Sequence, residues 1–462
     1  MAKKPSNRAK AEENSVAANV AVGGNIGRDF IIANGAINIP AEQIKLSSLH
    51  QLPPPPADFT GRETIIADIL DDFDGHKGAT ISGLTGMGGI GKTVLGLAVA
   101  HQITEKYPDA QIFLDLKGTT APLSVVDIAR HVILQFEPKA DLRGLDETNF
   151  SGIYQSVLHG RQALIFFDNA SDAGQIVPLI PPTPCALLVT SRKIFSVVGI
   201  KTHKVGVLEE KEAIDFLLEL CARINDKAAE LAKACAYLPL ALRIAGSFLK
   251  VNPTWKVDKY LAELKNTKGR LEALAKGRAG AELTTEPDVL ATFELSYNQL
   301  KEEEKKNWRV LGVFPAPFDG SAVAAVWGMG DEETDNLLAV FMRYSLVEYN
   351  ETSARYELHD LLAEYARSRM ESGEEQEARI KHASHYMDVM ETADAMYEKG
   401  NENILLGLRL FDLEWEHIRS AHTWIAEKVE KSEQIAELAM LYPDASAYCL
   451  DLRLAPKQII DW

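Results

Sequence analysis

Residues 79–94 read Ala-Thr-Ile-Ser-Gly-Leu-Thr-Gly-Met-Gly-Gly-Ile-Gly-Lys-Thr-Val, an apolar run followed by a glycine-rich turn. The turn matches the pattern GxxxxGK[ST], and we expect a strand before it and a helix that begins near its end. Glycines here let backbone N–H groups curl around a β-phosphate at a helix N-terminus. We therefore expect a phosphate-binding loop made of Gly86, Met87, Gly88, Gly89, Ile90, Gly91, Lys92, Thr93 and Val94. The alternative is a glycine-rich turn that carries Gly-Lys-Thr by chance, and its place between a strand and a helix argues against that.

A loop of this kind works with a magnesium ion and a second carboxylate. We expect the ammonium of Lys92 to reach the β- and γ-phosphates, and the hydroxyl of Thr93 to bind Mg²⁺. Residues 162–167 form an apolar strand candidate that ends at Asp168. This aspartate is the expected second ligand of the ion, and the alternative is that it caps the helix that follows.

The residue after Asp168 bears on the rate of hydrolysis. Many ATPases with this loop have a second acid there, whereas this chain has Asn169, whose amide can position water but is a poor base. Asp172 could substitute, although a solvated loop charge is the simpler interpretation of that residue. We therefore expect a weak ATPase, because slow hydrolysis suits a switch better than a metabolic enzyme.

Composition restricts the class of protein. The 462 residues carry 49 Lys+Arg against 66 Asp+Glu, a net charge of −17, so the surface repels polyphosphate and nucleic-acid binding is disfavoured. The four cysteines are far apart and show no CxxC pair, which argues against a disulfide framework and a cysteine metal site. No apolar run is long enough for a membrane helix, and no signal core follows the basic N-terminus. We expect a cytoplasmic protein without a membrane partner.

The order of elements predicts several units. Strand candidates at 79–84, 110–116, 162–167 and 186–190 alternate with helical stretches, which predicts an α/β domain with a parallel sheet over residues 53–206. Helices then predominate in a small unit over 207–284 and in a larger one over 285–370, the latter interrupted by a hairpin-like pair around 346–349 and 354–358. Amphipathic helices fill residues 371–462, and because no stop signal follows them we expect a truncated chain.

The N-terminal segment, residues 1–52, is the least ordinary part. Residues 1–15 are polar and expected to be disordered, whereas 16–40 are short apolar runs broken by Gly and Asn, with a hairpin signal at Asn34-Gly35. Two interpretations remain open. The segment is a tail with one docked strand, or it is a β-forming adhesive motif in which Asn19, Asn25, Asn34 and Asn38 stack between chains.

Several separate motifs resemble those of one family. These are Phe59-Thr-Gly-Arg62-Glu, the phosphate loop, Ala186-Leu-Leu-Val-Thr-Ser-Arg192, Leu238-Pro239-Leu-Ala-Leu, Leu311-Gly-Val-Phe-Pro, and Leu358-His359-Asp360. Together they are similar to the NB-ARC proteins of the STAND class, which include plant resistance proteins, the animal apoptosome activator and many bacterial regulators. The pair Asp168-Asn169 resembles bacterial members in particular. Tyr237 stands where the family has a glycine, so we expect a different turn there.

The resemblance implies a fold and a set of roles. The fold is an α/β P-loop NTPase domain followed by an all-α helical domain, a winged-helix domain and the start of an α-helical, TPR-like array. Phe59 and Arg62 would lie against adenine, Arg192 would sense the γ-phosphate, Pro239 would pack on the nucleotide, and His359 would contact the β-phosphate of ADP. Lys92, Asp168 and Arg192 would carry catalysis. The plainer alternatives are a surface residue for Arg62, a local salt bridge for Arg192 and a hydrogen-bonded core histidine for His359.

The function that follows is a signalling switch. The resemblance implies a closed form with ADP and an open homo-oligomer with ATP and Mg²⁺, which clusters the N-terminal segment to trigger a separate effector, as in innate immunity or bacterial defence. An unidentified ligand or protein would bind the C-terminal helices. Two alternatives belong to other classes: an NB-ARC transcriptional regulator, and a conventional ATPase or small-molecule kinase.

Overall fold

The computed structural model describes residues 30–32, 35–37, 49–56, 59–74, 81–85, 88–118, 122–138, 140, 142, 147–195, 199, 201–277, 287–351 and 353–454. Four groups of elements follow one another in this part of the chain. We name them the sheet unit (residues 49–204), the first helical unit (210–277), the second helical unit (287–369) and the C-terminal helices (372–453).

The sheet unit is an α/β layer structure with a parallel sheet, as predicted. Its strands are β3 (Ile81–Thr85), β4 (Ala110–Asp115), β5 (Ala163–Ala170), β6 (Ala186–Ser191) and β7 (Lys201–Lys204). Within the described residues their order is β4-β5-β6-β3-β7, with every neighbouring pair parallel. Because β6 lies between β3 and β5, the residues after β6 emerge between the phosphate loop and Asp168.

Helices cover both faces of this sheet. They are α1 (Glu63–Asp74), α2 (Lys92–Gln102), α3 (Val125–Phe136), α4 (Glu147–Leu158) and α5 (Ala173–Ile176). Alternate side chains of β5 enter two different cores: Leu164 and Phe166 join the core that contains α2, whereas Ile165 and Phe167 pack with α3 and α4. Burial on both faces explains why β5 and β6 read as continuous apolar runs rather than alternating ones.

At the two edges of the sheet, β7 was not predicted, whereas the pairing of residues 49–51 agrees with the alternative of an N-terminal tail that docks one strand. Strand β7 has the polar sequence Lys-Thr-His-Lys, with mostly exposed side chains, so it lacks the apolar run that marks the other strands. At the opposite edge residues 49–51 pair with β4, where the Gln51 amide donates to the Gln111 carbonyl at 2.8 Å. Side chains support this backbone pairing, since His203 of β7 contacts Asp72 of α1 at 2.6 Å and His50 contacts Gln111 of β4 at 2.6 Å. Sequence patterns do not report partners that are so far apart in the chain.

The helical units follow the predicted order. The first contains α6 (Glu210–Leu220), α7 (Ala228–Ala234), α8 (Pro239–Val251) and α9 (Val257–Gly277). The second contains α10 (Pro287–Tyr297), α11 (Glu302–Val310), α12 (Gly320–Trp327), α13 (Asp331–Arg343), β8 (Glu348–Asn350), β9 (Arg355–Glu357) and α14 (Asp360–Arg369). Strands β8 and β9 are antiparallel, which confirms the predicted hairpin, whereas the winged-helix assignment stays a prediction.

The C-terminal helices are α15 (Ser372–Glu398), α16 (Glu402–Lys428), α17 (Glu433–Leu441) and α18 (Ala447–Arg453). One hydrophobic core continues from α2 through both helical units into this group, so these parts pack as one body. Among the described residues, no helix has the length and apolar character needed to cross a membrane.

In the N-terminal segment, β1 (Phe30–Ile32) and β2 (Gly35–Ile37) pair antiparallel, as the Asn-Gly signal predicts. The rest of residues 1–48, including Asn19, Asn25, Asn34 and Asn38, lies outside the described residues. The adhesive-motif interpretation therefore stays a prediction.

Candidate nucleotide-binding site

The phosphate loop leads directly into α2, whose first residue is Lys92. Gly89 and Gly91 have φ values of 73° and 83°, a left-handed conformation that glycine adopts at little cost. Gly86 and Met87 lie outside the described residues, while Gly88, Ile90 and the remaining predicted loop residues are described. The first-turn N–H groups of α2 have no helical partner, so this end of the helix suits an anion.

Two charged groups beside the loop, Lys92 and Asp168, are buried, and their pKa values are shifted toward the neutral forms. Burial lowers the pKa of Lys92 to about 8, with Arg192 adding to the effect and Asp168 opposing it. Burial also raises the pKa of Asp168 to about 7, and the nearby Asp115 carboxylate contributes. A phosphate near the lysine and a cation near the aspartate would each favour the charged form again.

Thr93 and Asp168 form the oxygen pair that was predicted to hold magnesium. The Thr93 hydroxyl lies 2.9 Å from both carboxylate oxygens of Asp168, and the Thr190 hydroxyl donates to one of them. Oxygen ligands suit Mg²⁺, which usually completes its coordination with waters and substrate phosphates. Within the described residues no cluster of three or more His, Cys, Asp or Glu side chains could hold a metal by itself. The pair therefore fits an ion that arrives with a nucleotide.

The alternative role of Asp168 as a helix cap is wrong. The side chain that caps α5 is Asp172, which accepts a hydrogen bond from the Gln175 amide at 3.2 Å. Its bonds to Ser171 and to the backbone lower the pKa of Asp172. Asp172 is thus engaged in the turn after β5, where its capping role accounts for it.

A cavity of about 380 Å³, including space open to solvent, lies next to the loop. It is lined by Phe59, Thr60, Arg62, Gly91, Val94, Leu208, Phe216, Pro239 and Arg243. The sequence motifs predicted four of these residues, namely Phe59, Arg62, Val94 and Pro239. Of the others, Phe216 and Arg243 belong to the first helical unit, and Leu208 lies in the segment just before it. Their positions depend on how that unit packs against the sheet unit.

Arg62 links the cavity to the loop, so it is not the surface residue of the plainer alternative. It is 8% exposed, and its Nη2 donates to the carbonyls of Ile90 at 2.5 Å and Gly206 at 3.0 Å. Its Nη1 is buried without a hydrogen-bond partner among the described residues. A Cβ added at Gly91 would lie 3.8 Å from this Nη1 and equally close to Pro239. An unsatisfied donor beside a cavity and a phosphate loop fits a polar ligand such as a nucleotide.

The first helical unit closes over the loop through the start of α8. Pro239 occupies the first turn of α8, where a missing N–H costs nothing. The next amide, that of Leu240, donates to the Gly89 carbonyl at 3.4 Å. Before this helix Tyr237 has a φ of 58°, the left-handed conformation that glycine favours, so the turn accommodates tyrosine in that conformation.

The start of α14 brings the second helical unit onto the same loop. Leu361 packs on it, since a Cβ added at Gly88 or Gly89 would lie 3.1 or 3.2 Å from the leucine methyl groups. His359 caps α14, its Nδ1 accepting from the Leu361 amide at 3.2 Å, and burial lowers the pKa of this half-buried histidine. Asp360 accepts from Arg192 at 2.9 Å and from Asn169 at 3.1 Å.

Most described residues of the predicted site thus lie around one loop, and the contact of His359 with a phosphate stays a prediction. The salt-bridge alternative for Arg192 describes its contact in this structure, and its role toward a phosphate stays a prediction. Sequence reasoning missed Asp360, Leu361 and Thr190 as site residues. Thr190 and Asp360 lie within the quoted motifs, and Leu361 follows one directly. Their closeness in sequence to recognised site residues was the feature from which they could have been predicted.

Comparison with known proteins agrees with this geometry. The family model described as NB-ARC domain matches residues 62–227. The chain is 35% identical over 372 residues to the regulatory protein AfsR of Streptomyces griseus, covering 77% of this chain and 37% of that protein. It is 34% identical over 336 residues to AfsR of Streptomyces coelicolor, covering 69% and 33%. The chain therefore spans about a third of the length of these two curated relatives.

Two more distant matches, one of sequence and one of structure, agree with these relatives. The disease resistance protein RML1A of Arabidopsis thaliana is 23% identical over 332 residues, covering 67% of this chain and 31% of that protein. A solved STAND protein with a tetratricopeptide repeat sensor from Pyrococcus horikoshii aligns with a TM-score of 0.52 and 17% identity, covering 87% of this chain and 59% of that chain. The motif-bearing loop, the parallel sheet and these relatives agree: residues 62–227 contain an NB-ARC domain, and the chain belongs to the bacterial STAND class of P-loop NTPases.

Proposed function

We propose that this chain is a nucleotide-controlled signalling switch that is closed with ADP and opens with ATP. The observation that carries the proposal is the contact of α14 with the phosphate loop. Leu361 packs on Gly88 and Gly89, and Asp360 pairs with Arg192, so a helix of the second helical unit touches the loop itself. A change at the phosphates can therefore act directly on the packing of a distant unit.

The proposed roles combine the sequence motifs with the positions of these residues. Phe59, Arg62 and Pro239 hold the adenosine end, with the unsatisfied Nη1 of Arg62 as a donor to the ligand. Lys92 and the loop amides bind the phosphates, and Thr93 and Asp168 share the cation. Bound Mg²⁺ would neutralise phosphate charge. His359 reports the diphosphate to the second helical unit, and Arg192 senses the terminal phosphate.

The energetic requirement is modest. Moving a two-state population from about 1:99 to 99:1 requires ~5.5 kcal/mol of differential binding. Charge-assisted hydrogen bonds to a phosphate contribute about 1.5 to 3 kcal/mol each, so two such contacts and a partner at the C-terminal helices supply that range. In the open form we expect protomers to assemble and to cluster their N-terminal segments on a separate effector, in signalling or bacterial defence.

The proposed domains are an N-terminal signalling segment (1–52), a nucleotide domain (53–206), a small helical domain (207–284), a winged-helix domain (285–370) and a TPR-like region (371–462). The last of these would bind the triggering ligand or protein. A thioflavin assay on a peptide of residues 16–40 tests the first, because a peptide that remains monomeric at high concentration would remove the clustering role.

Size-exclusion chromatography with light scattering tests the switch. The wild-type protein is compared with ADP and with a non-hydrolysable ATP analogue, beside Lys92→Ala, which removes the buried ammonium. We expect a larger mass with the analogue for the wild type and no nucleotide response for the variant. Equal masses in every state would contradict nucleotide-controlled assembly.

A second candidate function is a transcriptional regulator, because the two Streptomyces relatives are named regulatory proteins. The net charge of −17 disfavours direct contact with DNA. A gel shift at low salt decides between the two candidates. A conventional ATPase or kinase, the third class, would require turnover above about one per second, whereas we expect slow hydrolysis because Asn169 is a poor base.

A further inference from the structure

A second carboxylate lies beside Asp168. Strands β4 and β5 are parallel neighbours, and Asp115, the last residue of β4, pairs in register with Asp168. The Leu116 amide donates to the Asp168 carbonyl at 2.8 Å, which holds the two aspartates level with each other. Side chains at paired positions of neighbouring strands point to the same face of a sheet. Asp115 therefore neighbours Asp168 on the face from which Asp168 contacts Thr93.

The charges of these two carboxylates oppose each other. Burial is the main cause that raises the pKa of Asp168, and the charge of Asp115 is the next. Two like charges that are held side by side away from water repel each other strongly. A divalent cation converts this repulsion into attraction, and oxygen ligands are those that Mg²⁺ prefers. The arrangement therefore favours a cation beside Asp168.

The turn after β4 fixes the Asp115 side chain. The Lys117 amide donates to its Oδ1 at 2.8 Å, and the Lys117 ammonium donates to its Oδ2 at 2.7 Å. The turn is itself tied to β5, because the Gly118 amide donates to the Asn169 carbonyl at 2.7 Å. An ionised carboxylate can accept about four hydrogen bonds, so Asp115 retains acceptor capacity. Its side chain is 23% exposed and is thus accessible to water.

Lys117 does not balance the acids around it. Its side chain is 12% exposed, and the charge of Glu357 in β9 acts on its ammonium as well as that of Asp115. Lys92 attracts Asp168 but belongs to the phosphate loop, where a bound nucleotide would engage it. With a nucleotide in place, the carboxylates of this corner therefore outnumber the ammonium groups that remain for them.

We propose that Asp115 belongs to the cation site, where its carboxylate accepts hydrogen bonds from waters on the Mg²⁺ ion that Thr93 and Asp168 hold. Mg²⁺ gives up its waters reluctantly and usually keeps several of them in protein sites. Groups that bond to the ligands of a metal raise its affinity, and their loss typically costs about 10- to 100-fold. This inference rests on the proposed function and adds a residue that lies outside both the phosphate loop and the strand of Asp168.

Mn²⁺ replaces Mg²⁺ in the test, because electron paramagnetic resonance measures free Mn²⁺ directly. The dissociation constant of Mn²⁺ is determined with the protein in excess over ADP, for the wild type and for Asp115→Asn. The asparagine still accepts the bond from the Lys117 amide but carries no charge, so Mn²⁺ should bind about 10-fold more weakly. Asp115→Ser, whose hydroxyl can accept the same backbone bond, is the second variant if the first unfolds.

Binding of ADP in EDTA separates this role from a purely structural one. Without a cation, the Asp115 carboxylate can only repel a diphosphate. Asp115→Asn should therefore bind ADP as tightly as the wild type or up to about 3-fold more tightly. Disruption of the turn would instead weaken ADP binding with and without the metal, and equal weakening in both conditions would overturn the proposal.

Asp288→Asn is the matched control. Asp288 lies in the first turn of α10, its side chain is 14% exposed, and the Lys268 ammonium lies 2.6 Å from its Oδ1. Its loss should leave the affinity for Mn²⁺ unchanged, and an equal weakening there would also overturn the proposal. A wild-type protein that binds neither ADP nor Mn²⁺ would refute the proposed function itself. Wild-type binding of both, with an unchanged Mn²⁺ affinity in the Asp115 variants, would overturn only the role of Asp115.

Discussion

Gly118 follows β4 and lies against the bulge of β5 that carries Asn169. A Cβ added at Gly118 would overlap the Asn169 carbonyl oxygen and the Ser171 amide, and both are backbone atoms that cannot rotate away. Gly152, inside α4, offers the opposite case, since a Cβ there would meet nothing within 4 Å. The two glycines make a matched pair for testing whether the bulge tolerates change.

Gly118→Ala should lower the free energy of unfolding by about 2 to 3 kcal/mol, because overpacking against backbone forces the bulge to move. Gly152→Ala should raise the free energy of unfolding by about 0.5 to 1 kcal/mol, because alanine is the better helix former. Urea unfolding of both variants measures this, and equal effects would show that the close approach is not maintained in solution.

At the scale of elements, the second helical unit meets α15 and α16 through two buried histidines. His382 and His417 are 3% and 1% exposed, and their rings lie with Nε2 and Nδ1 3.4 Å apart. His417 also contacts the Pro317 carbonyl at 3.1 Å and stacks on Tyr386 with ring centroids 4.5 Å apart. Burial lowers the pKa of both histidines well below the usual value. The joint therefore requires neutral imidazoles.

This burial predicts a loss of stability in acid. A histidine in the unfolded chain has a pKa of about 6.5. The pKa of each buried histidine is lower, so on acidification the unfolded state binds the proton first. The free energy of unfolding that depends on these neutral histidines is therefore fully present above about pH 6.5. As the pH decreases toward the folded pKa, it falls by at most about 1.4 kcal/mol per pH unit for each histidine.

The comparison of wild type with His417→Gln isolates this contribution. Carboxyls with a raised pKa, such as Asp388, act in the opposite direction in both proteins. Urea unfolding between pH 7.5 and 5.5 should show a shallower loss of stability on acidification in the variant than in the wild type. Parallel slopes for the two proteins would show that His417 is not buried in its neutral form.

At the scale of the whole molecule, α16 contacts two other units. Arg419 lies 3.5 Å from Asp127 of α3 in the sheet unit. On the same helix Glu414 forms a buried pair with Arg355 of β9, with distances of 2.5 and 2.8 Å. A ligand that moves α16 would therefore act on both the nucleotide domain and the unit that carries His359.

Arg419→Glu should speed the release of ADP by about 3- to 10-fold. The partly exposed ion pair between Arg419 and Asp127 stabilises the contact by at most about 1 kcal/mol, and the variant loses this. A glutamate at position 419 also repels Asp127, which weakens the contact further. Stopped-flow release of a fluorescent ADP measures the rate. Adding Asp127→Lys should restore slow release in part, because it forms the ion pair again with its charges exchanged. The rescue is incomplete because the Asp127 side chain also bonds to Ser124 in the first turn of α3, and the lysine cannot accept that bond. Arg379→Glu, whose pair with Glu375 lies within α15, is the control and should not alter release.

The sequence by itself determined the features that depend on contiguous residues. The loop that ends in Lys92 and Thr93, the buried strand that ends in Asp168 and the hairpin of β8 and β9 each carry a local pattern, because neighbouring residues must satisfy one backbone geometry. Family motifs added Arg62, Pro239 and His359. The structure places Arg62 and Pro239 beside the loop, whereas the contact of His359 with a phosphate stays a prediction.

Only the tertiary structure decided the contacts between units. Asp360 is 168 residues from Arg192 and 191 from Asn169, and Arg419 is 292 residues from Asp127. Strand β7 likewise depends on a backbone partner rather than on its own polar sequence. Such pairings leave no periodic pattern in the sequence. A charged or amide residue occurs there in the same way whether its side chain binds water or a residue of a distant unit. The packing of the units determines which residues become partners. It therefore also determines through which contacts a nucleotide can act on the rest of the chain.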